Sequence, residues 1–187
     1  MNKRVFIIHG WGGSPKKDWL PWAISSLQDK GYEVVVPFMP DTDNPQITSW
    51  VNELKKLVGV PKKDDIFIGH SIGCQTILRF LEGLPEEQQV DKVILVAPWF
   101  KLTNLEDDEA WEIADPWLKS EIVFEKVRPK ANSFAAIFSD NDAWVPLKEN
   151  REMFEELLNP KIIVLSNKGH FSEEEGVSEI PEIMKLL

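Results

Sequence analysis

At 187 residues the chain has room for one domain with a substantial core, and 43% hydrophobic with 28% charged content suits an ordinary globular protein. A net charge of −10, with no basic run longer than two residues, argues against a nucleic-acid partner, because phosphate binding needs a basic face. A single cysteine rules out an intrachain disulfide, and no stretch resembles a signal peptide or a membrane span, so the expectation is a cytoplasmic protein without membrane contact.

In chain order, strand-like and helix-like patterns alternate. Arg4–Ile8 reads as a first strand and leads straight into His9-Gly10. Trp19, Trp22, Ala23 and Leu27 then share one helical face, with Gly31 as its C-terminal cap. Tyr32–Val36 is the second strand. Ile47, Trp50, Val51, Leu54, Leu57 and Val58 follow at helical spacing. Asp65–Ile68 is the third strand, and Ile77, Leu78, Phe80 and Leu81 mark the helix after it. Lys92–Ala97, Ser133–Phe138 and Lys161–Leu165 complete six strands, with helical faces at Met153–Leu158 and Ile180–Leu187. Most strands are continuous apolar runs, as expected when both faces of a parallel sheet are covered. The pattern predicts an α/β, three-layer, doubly wound sandwich forming one domain over residues 1–187. The stretch Pro98–Asn132 is longer than such connections usually are. It reads either as a small lid over the carboxyl edge of the sheet or as a long structural crossover whose tryptophans fill the core.

Chemistry is concentrated at Gly69-His70-Ser71-Ile72-Gly73, between the third strand and its helix. A serine on so sharp a turn is held in a strained conformation with its hydroxyl exposed, and the flanking glycines let backbone pass closely. A serine hydroxyl needs a base, and the base needs an anion to fix its tautomer. Of three histidines, His70 adjoins Ser71 and points away, and His9 lies in the glycine-rich His9-Gly10-Trp11-Gly12-Gly13 turn. His170, in the loop after the sixth strand, is the expected base. The loop after the fifth strand offers two acids, Asp140 and Asp142. An oxyanion could be held by the backbone N–H groups of Ile72, at the helix start, and Trp11, in the first-strand loop. That loop lacks the spacing of a dinucleotide or P-loop site, and the histidines lack metal-ligand spacing, so no cofactor and no metal are expected. Trp11, Trp99 and Trp144 are candidate walls of a substrate pocket. Cys74, one turn along the helix, reads as buried packing. Ser172 and Glu175 fit a capping box at the start of the final helix.

The set His9-Gly10-Trp11-Gly12, Gly69-His70-Ser71-Ile72-Gly73, Asp142-Ala143-Trp144-Val145-Pro146 and Gly169-His170-Phe171 resembles the small serine hydrolases of the α/β-hydrolase superfamily. More narrowly, it is similar to the group of the retinoblastoma-binding serine hydrolase and the bacterial YdeN-type proteins. The resemblance spans the chain and implies a minimal α/β-hydrolase fold of about six parallel strands. It places nucleophile, acid and base on Ser71, Asp142 and His170, because Asp142 stands three residues before Val145 as the family's acid does. The expected activity is cleavage of an ester, thioester or similar acyl bond of a small-molecule substrate through an acyl-enzyme. A non-catalytic protein-binding member of the fold and an acyltransferase are the competing readings, although nothing in the sequence marks a protein partner.

Overall fold

The computed structural model describes residues 3–187. Its strands are β1 (Arg4–Ile8), β2 (Glu33–Val35), β3 (Ile66–His70), β4 (Val90–Val96), β5 (Ala131–Ser139) and β6 (Lys161–Leu165). They form one sheet in the order β2-β1-β3-β4-β5-β6, and every neighbouring pair is parallel. The helices are α1 (Leu20–Asp29), α2 (Ile47–Val58), α3 (Ile72–Glu82), α4 (Asp108–Lys119), α5 (Phe124–Val127), α6 (Leu147–Leu158) and α7 (Pro181–Leu186).

Successive strand residues point to opposite faces, and that period divides the core in two. Val5, Ile7, Ile66, Ile68 and Ile94 pack under α1 and α7, meeting Trp19, Leu27, Ile180 and Ile183. Phe6, Ile8, Phe67, Val93 and Leu95 face the other way, against Trp50 and Leu54 of α2, Ile77 and Leu78 of α3, and Phe154 of α6. The central strands are therefore buried on both sides, which explains their unbroken apolar runs. This is the expected three-layer α/β sandwich. The order reverses direction beside β1 and β3, and the carboxyl ends of both strands open at that point, where ligands bind in such sheets.

Three local readings differ. The edge strand β2 is shorter than Tyr32–Val36, since only one neighbour supplies hydrogen bonds and none of its residues is fully buried. The Ser172–Glu175 capping box is present, but it closes a 3₁₀ turn at Glu173–Glu175 that Gly176 ends with φ 77°. α7 starts afresh at Pro181. Residues 98–132 carry α4 and α5. Trp117 of α4 and Phe124 and Val127 of α5 are buried in the core, whereas Trp99, Leu102, Leu105 and Glu106 line a cavity at the sheet's carboxyl edge. α4 is fastened from below by Arg79 of α3, whose guanidinium donates to the carbonyls of Trp117 (3.0 Å) and Ser120 (2.8 Å).

Candidate active site

The junction of β3 and α3 is built by close approach. A Cβ on Gly69 would lie 2.8 Å from the Cys74 nitrogen, and one on Gly73 would press on the Ile8 carbonyl and stand 2.7 Å from that of His9. Only glycine permits the helix to begin this close to both strands. Between them Ser71 takes φ 52° and ψ −119°, a conformation that costs a non-glycine residue on the order of 1–3 kcal/mol. The turn holds it there: Ser71 N–H donates to the Val96 carbonyl, and Cys74 N–H donates to the Ser71 carbonyl, each at 2.9 Å.

The loops after β5 and β6 bring the partners. Ser71 Oγ lies 2.9 Å from His170 Nε2. His170 Nδ1 lies 2.7 Å from Asp142 Oδ2, so the Nδ1–H donates to the carboxylate and Nε2 is left to accept the serine proton. The other Asp142 oxygen accepts the N–H groups of Trp144 and Val145, both at 3.0 Å. The Asp142 side chain is only 2% exposed. Asp140 points elsewhere. Its Oδ1 accepts Asn167 N–H at 2.8 Å, and this bond, with the Ser166 hydroxyl, holds its carboxyl below the usual range.

His170 is also gripped through its backbone, which the sequence did not reveal. Its N–H donates to Glu175 at 2.6 Å, and its carbonyl accepts the Nε2–H of His70 at 2.8 Å. Asn141 accepts Gly169 N–H at 2.8 Å, and Asp18 accepts Glu173 N–H at 3.0 Å. His70 thus supports the histidine loop. Burial, and then the adjacent His170 ring, push its pKa down to about 4. The only early signal was its place beside the serine, which reads equally well as a bystander.

The first-strand loop closes the other wall. Gly13 N–H donates back to the Gly10 carbonyl at 3.1 Å, Gly12 N–H reaches the Thr42 carbonyl at 2.8 Å, and the Trp11 indole donates to the Asp43 carbonyl at 2.9 Å. His9 is buried beneath as a neutral ring: Nδ1–H donates to the Gly10 carbonyl and Nε2 accepts Met39 N–H. Burial lowers its pKa. Trp11 and Ile72 both line the cavity that contains Ser71, and neither backbone N–H donates to another described residue. The cavity holds about 250 Å³, with Trp11, Trp99, Trp144, Leu102 and Leu105 among its walls. Trp144 meets the His170 ring edge-on at 5.0 Å. Cys74 is buried below, its thiol donating to the Val96 carbonyl and pushed up in pKa by burial.

Such an arrangement can move a proton from a serine to an imidazole whose charge is balanced by a carboxylate, beside two free backbone donors. A model of the serine hydrolase family matches residues 5–187. YdeN of Bacillus subtilis (strain 168) is 28% identical over 188 residues, covering 100% of this chain and 95% of its own. The crystal structure of that gene product superposes with a TM-score of 0.89 at 26% identity, covering 99% of this chain and 96% of that one. Est1E from Butyrivibrio proteoclasticus, solved with ferulic acid bound, gives 0.72 at 15% identity over 98% of this chain and 88% of its own. The carboxylesterase CesB of Bacillus subtilis gives 0.65 at 12% identity over 99% and 81%. At these identities the last two establish a shared fold alone.

Proposed function

The chain belongs to the serine hydrolase family, and on that premise we propose that it cleaves an ester, thioester or similarly activated acyl bond through an acyl-enzyme on Ser71. The observation that carries the proposal is the 2.9 Å approach of Ser71 Oγ to His170 Nε2, with Asp142 on the opposite ring nitrogen. Oγ attacks the acyl carbon while His170 takes its proton. Asp142 keeps the proton-accepting nitrogen turned to Ser71 and stabilises the imidazolium. The N–H groups of Ile72 and Trp11 receive the oxyanion. His170 then protonates the leaving group, and a water activated by the same ring releases the acid. Aromatic and aliphatic groups of modest size suit a cavity of about 250 Å³ whose walls include three indoles and two leucines. The fold shared with a carboxylesterase and with Est1E, which holds ferulic acid, favours carboxylic esters.

The test pairs a fluorophosphonate probe with a series of acyl nitrophenyl esters, on wild type and Ser71→Ala. Labelling should vanish in the variant, and ester turnover should fall by roughly 10⁴-fold or more, because the three residues act as a unit. A variant that retains wild-type turnover ends the assignment of Ser71. A wild type that neither labels nor turns over any ester leaves the binding-protein reading standing.

A further inference from the structure

We propose that the indole N–H of Trp99 is a catalytic donor to Ser71 Oγ, acting when that oxygen leaves during deacylation. The inference rests on the acyl-enzyme reading above and goes beyond it by giving a pocket wall a part in one half of the reaction. Trp99 Nε1 stands 3.3 Å from Ser71 Oγ, and the residue is only 2% exposed.

The indole is held in place from three elements. β4 hands the chain on through Ala97 at φ 46°, whose N–H donates to the Ile137 carbonyl of β5 at 2.8 Å. The Trp99 carbonyl accepts the side-chain amide of Gln75, a buried residue of α3. The next two N–H groups, of Phe100 and Lys101, converge on Oδ1 of Asn150 at 2.7 and 2.9 Å. Asn150 is wholly buried in α6 and donates to the carbonyls of Lys101 and Pro146.

An indole N–H only donates, so it can stabilise charge on Oγ and cannot remove its proton. Before acylation the serine oxygen is a hydroxyl that already accepts this bond, so the attack gains little from it. In the acyl-enzyme the same oxygen belongs to an ester and accepts poorly. When water adds, its O–C bond forms as the carbonyl π pair moves onto the oxygen held by the Ile72 and Trp11 N–H groups, and its proton passes to His170 Nε2; the π bond reforms when the intermediate collapses. The resulting tetrahedral intermediate can expel either the incoming oxygen or Oγ. As the C–Oγ bond breaks, its electron pair goes to Oγ, which His170 then protonates; the products are a carboxylic acid and free Ser71. A donor directed at Oγ favours that productive exit, and its contribution is greater in this transition state than in the state before it.

The experiment is rapid mixing with p-nitrophenyl acetate, following nitrophenolate release and the mass of the acetylated chain, in wild type and Trp99→Phe. A second variant places benzothienylalanine at position 99, where sulfur replaces the N–H at nearly constant shape and guards against loss of packing in the phenylalanine form. Both variants should acylate at close to the wild-type rate. Both should then deacylate roughly 10- to 100-fold more slowly, the loss expected for one hydrogen bond to a charged oxygen. The acetyl adduct should accumulate, and KM should fall with kcat so that kcat/KM changes little. Wild-type deacylation in the benzothienyl form overturns the proposal. So does an equal fall of kcat and kcat/KM in that form, which would mark a role in shaping the pocket. A wild type that takes no fluorophosphonate label and turns over the ester no faster than Ser71→Ala defeats the acyl-enzyme reading itself, and that failure is visible without either Trp99 variant.

Discussion

Asp140 and Asp142 leave the same strand two residues apart, and their side chains reach different partners. Asp142 reaches the imidazole at 2.7 Å and is almost wholly buried; Asp140 ties down Asn167 from the surface. An asparagine at 142 can turn an N–H toward His170 and favour the wrong tautomer. Asp142→Asn should therefore lower kcat/KM on an activated ester by on the order of 10⁴-fold, as the same change does in another triad. Asp140→Asn keeps an acceptor for Asn167 and should cost little turnover. Kinetics of both variants on one ester decide the matter, and a collapse confined to Asp140→Asn would reverse the assignment. The residues alone could not separate the two, because an offset of two positions matters only once the loop's path is known; family resemblance made the choice. The Trp99 contact was still less legible. Its identity as a pocket wall could be read, but its reach to Ser71 depends on a positive φ at Ala97 and on amides from α3 and α6.

At the scale of elements, the site depends on how closely α3 begins to β1. Gly73→Ala would drive a Cβ into the Ile8 and His9 carbonyls, which are backbone and cannot swing aside. The helix start must shift, so the variant should lose about 1–3 kcal/mol of stability and much of its activity, since Ser71 and Ile72 move with it. Gly83, at the far end of the same helix, has φ −83° and its nearest neighbour is the end of the Lys55 side chain. Gly83→Ala should be nearly neutral. Thermal melts of the two variants make the comparison, and equal losses would refute the close-approach argument. The four inner strands were legible because burial on both faces writes itself as continuous apolar runs, and the edge strands β2 and β6 because Val34, Val35, Ile162, Ile163 and Val164 are β-branched. The turn at Glu173–Glu175 was not, since a capping box signals a helix start and does not say whether a glycine three residues later will stop it. Residues 98–132 were ambiguous for a different reason: core tryptophans and pocket tryptophans look alike until the chain is folded.

For the whole molecule, two buried imidazoles set an acid limit. In the folded state His70 has its pKa lowered to about 4 and His9 is lowered as well, both first by burial. The unfolded chain binds protons at these sites from about pH 6.5 downward, while the native state does not. Stability is therefore fully present above about 6.5 and falls as pH drops toward about 4, where His70 also protonates in the fold. Urea unfolding between about pH 7.5 and about pH 4.5 should show a falling midpoint, and a flat profile would contradict the buried neutral rings. The all-parallel sheet has a further consequence, in the order in which the chain is made. Every strand pairing needs a crossover, so no hairpin forms early, and sheets of this kind assemble slowly. Ser71 lies where β1, β3 and β4 can already pair, but its imidazole partner lies 99 residues further on, beyond the edge strand β6. At ribosomal speed that interval lasts roughly 5–20 s. Once β4 has been made, a nascent chain can bend the serine into its strained turn before any His170 exists to draw off its proton, so the hydroxyl stays inert until the loop after the last strand has docked.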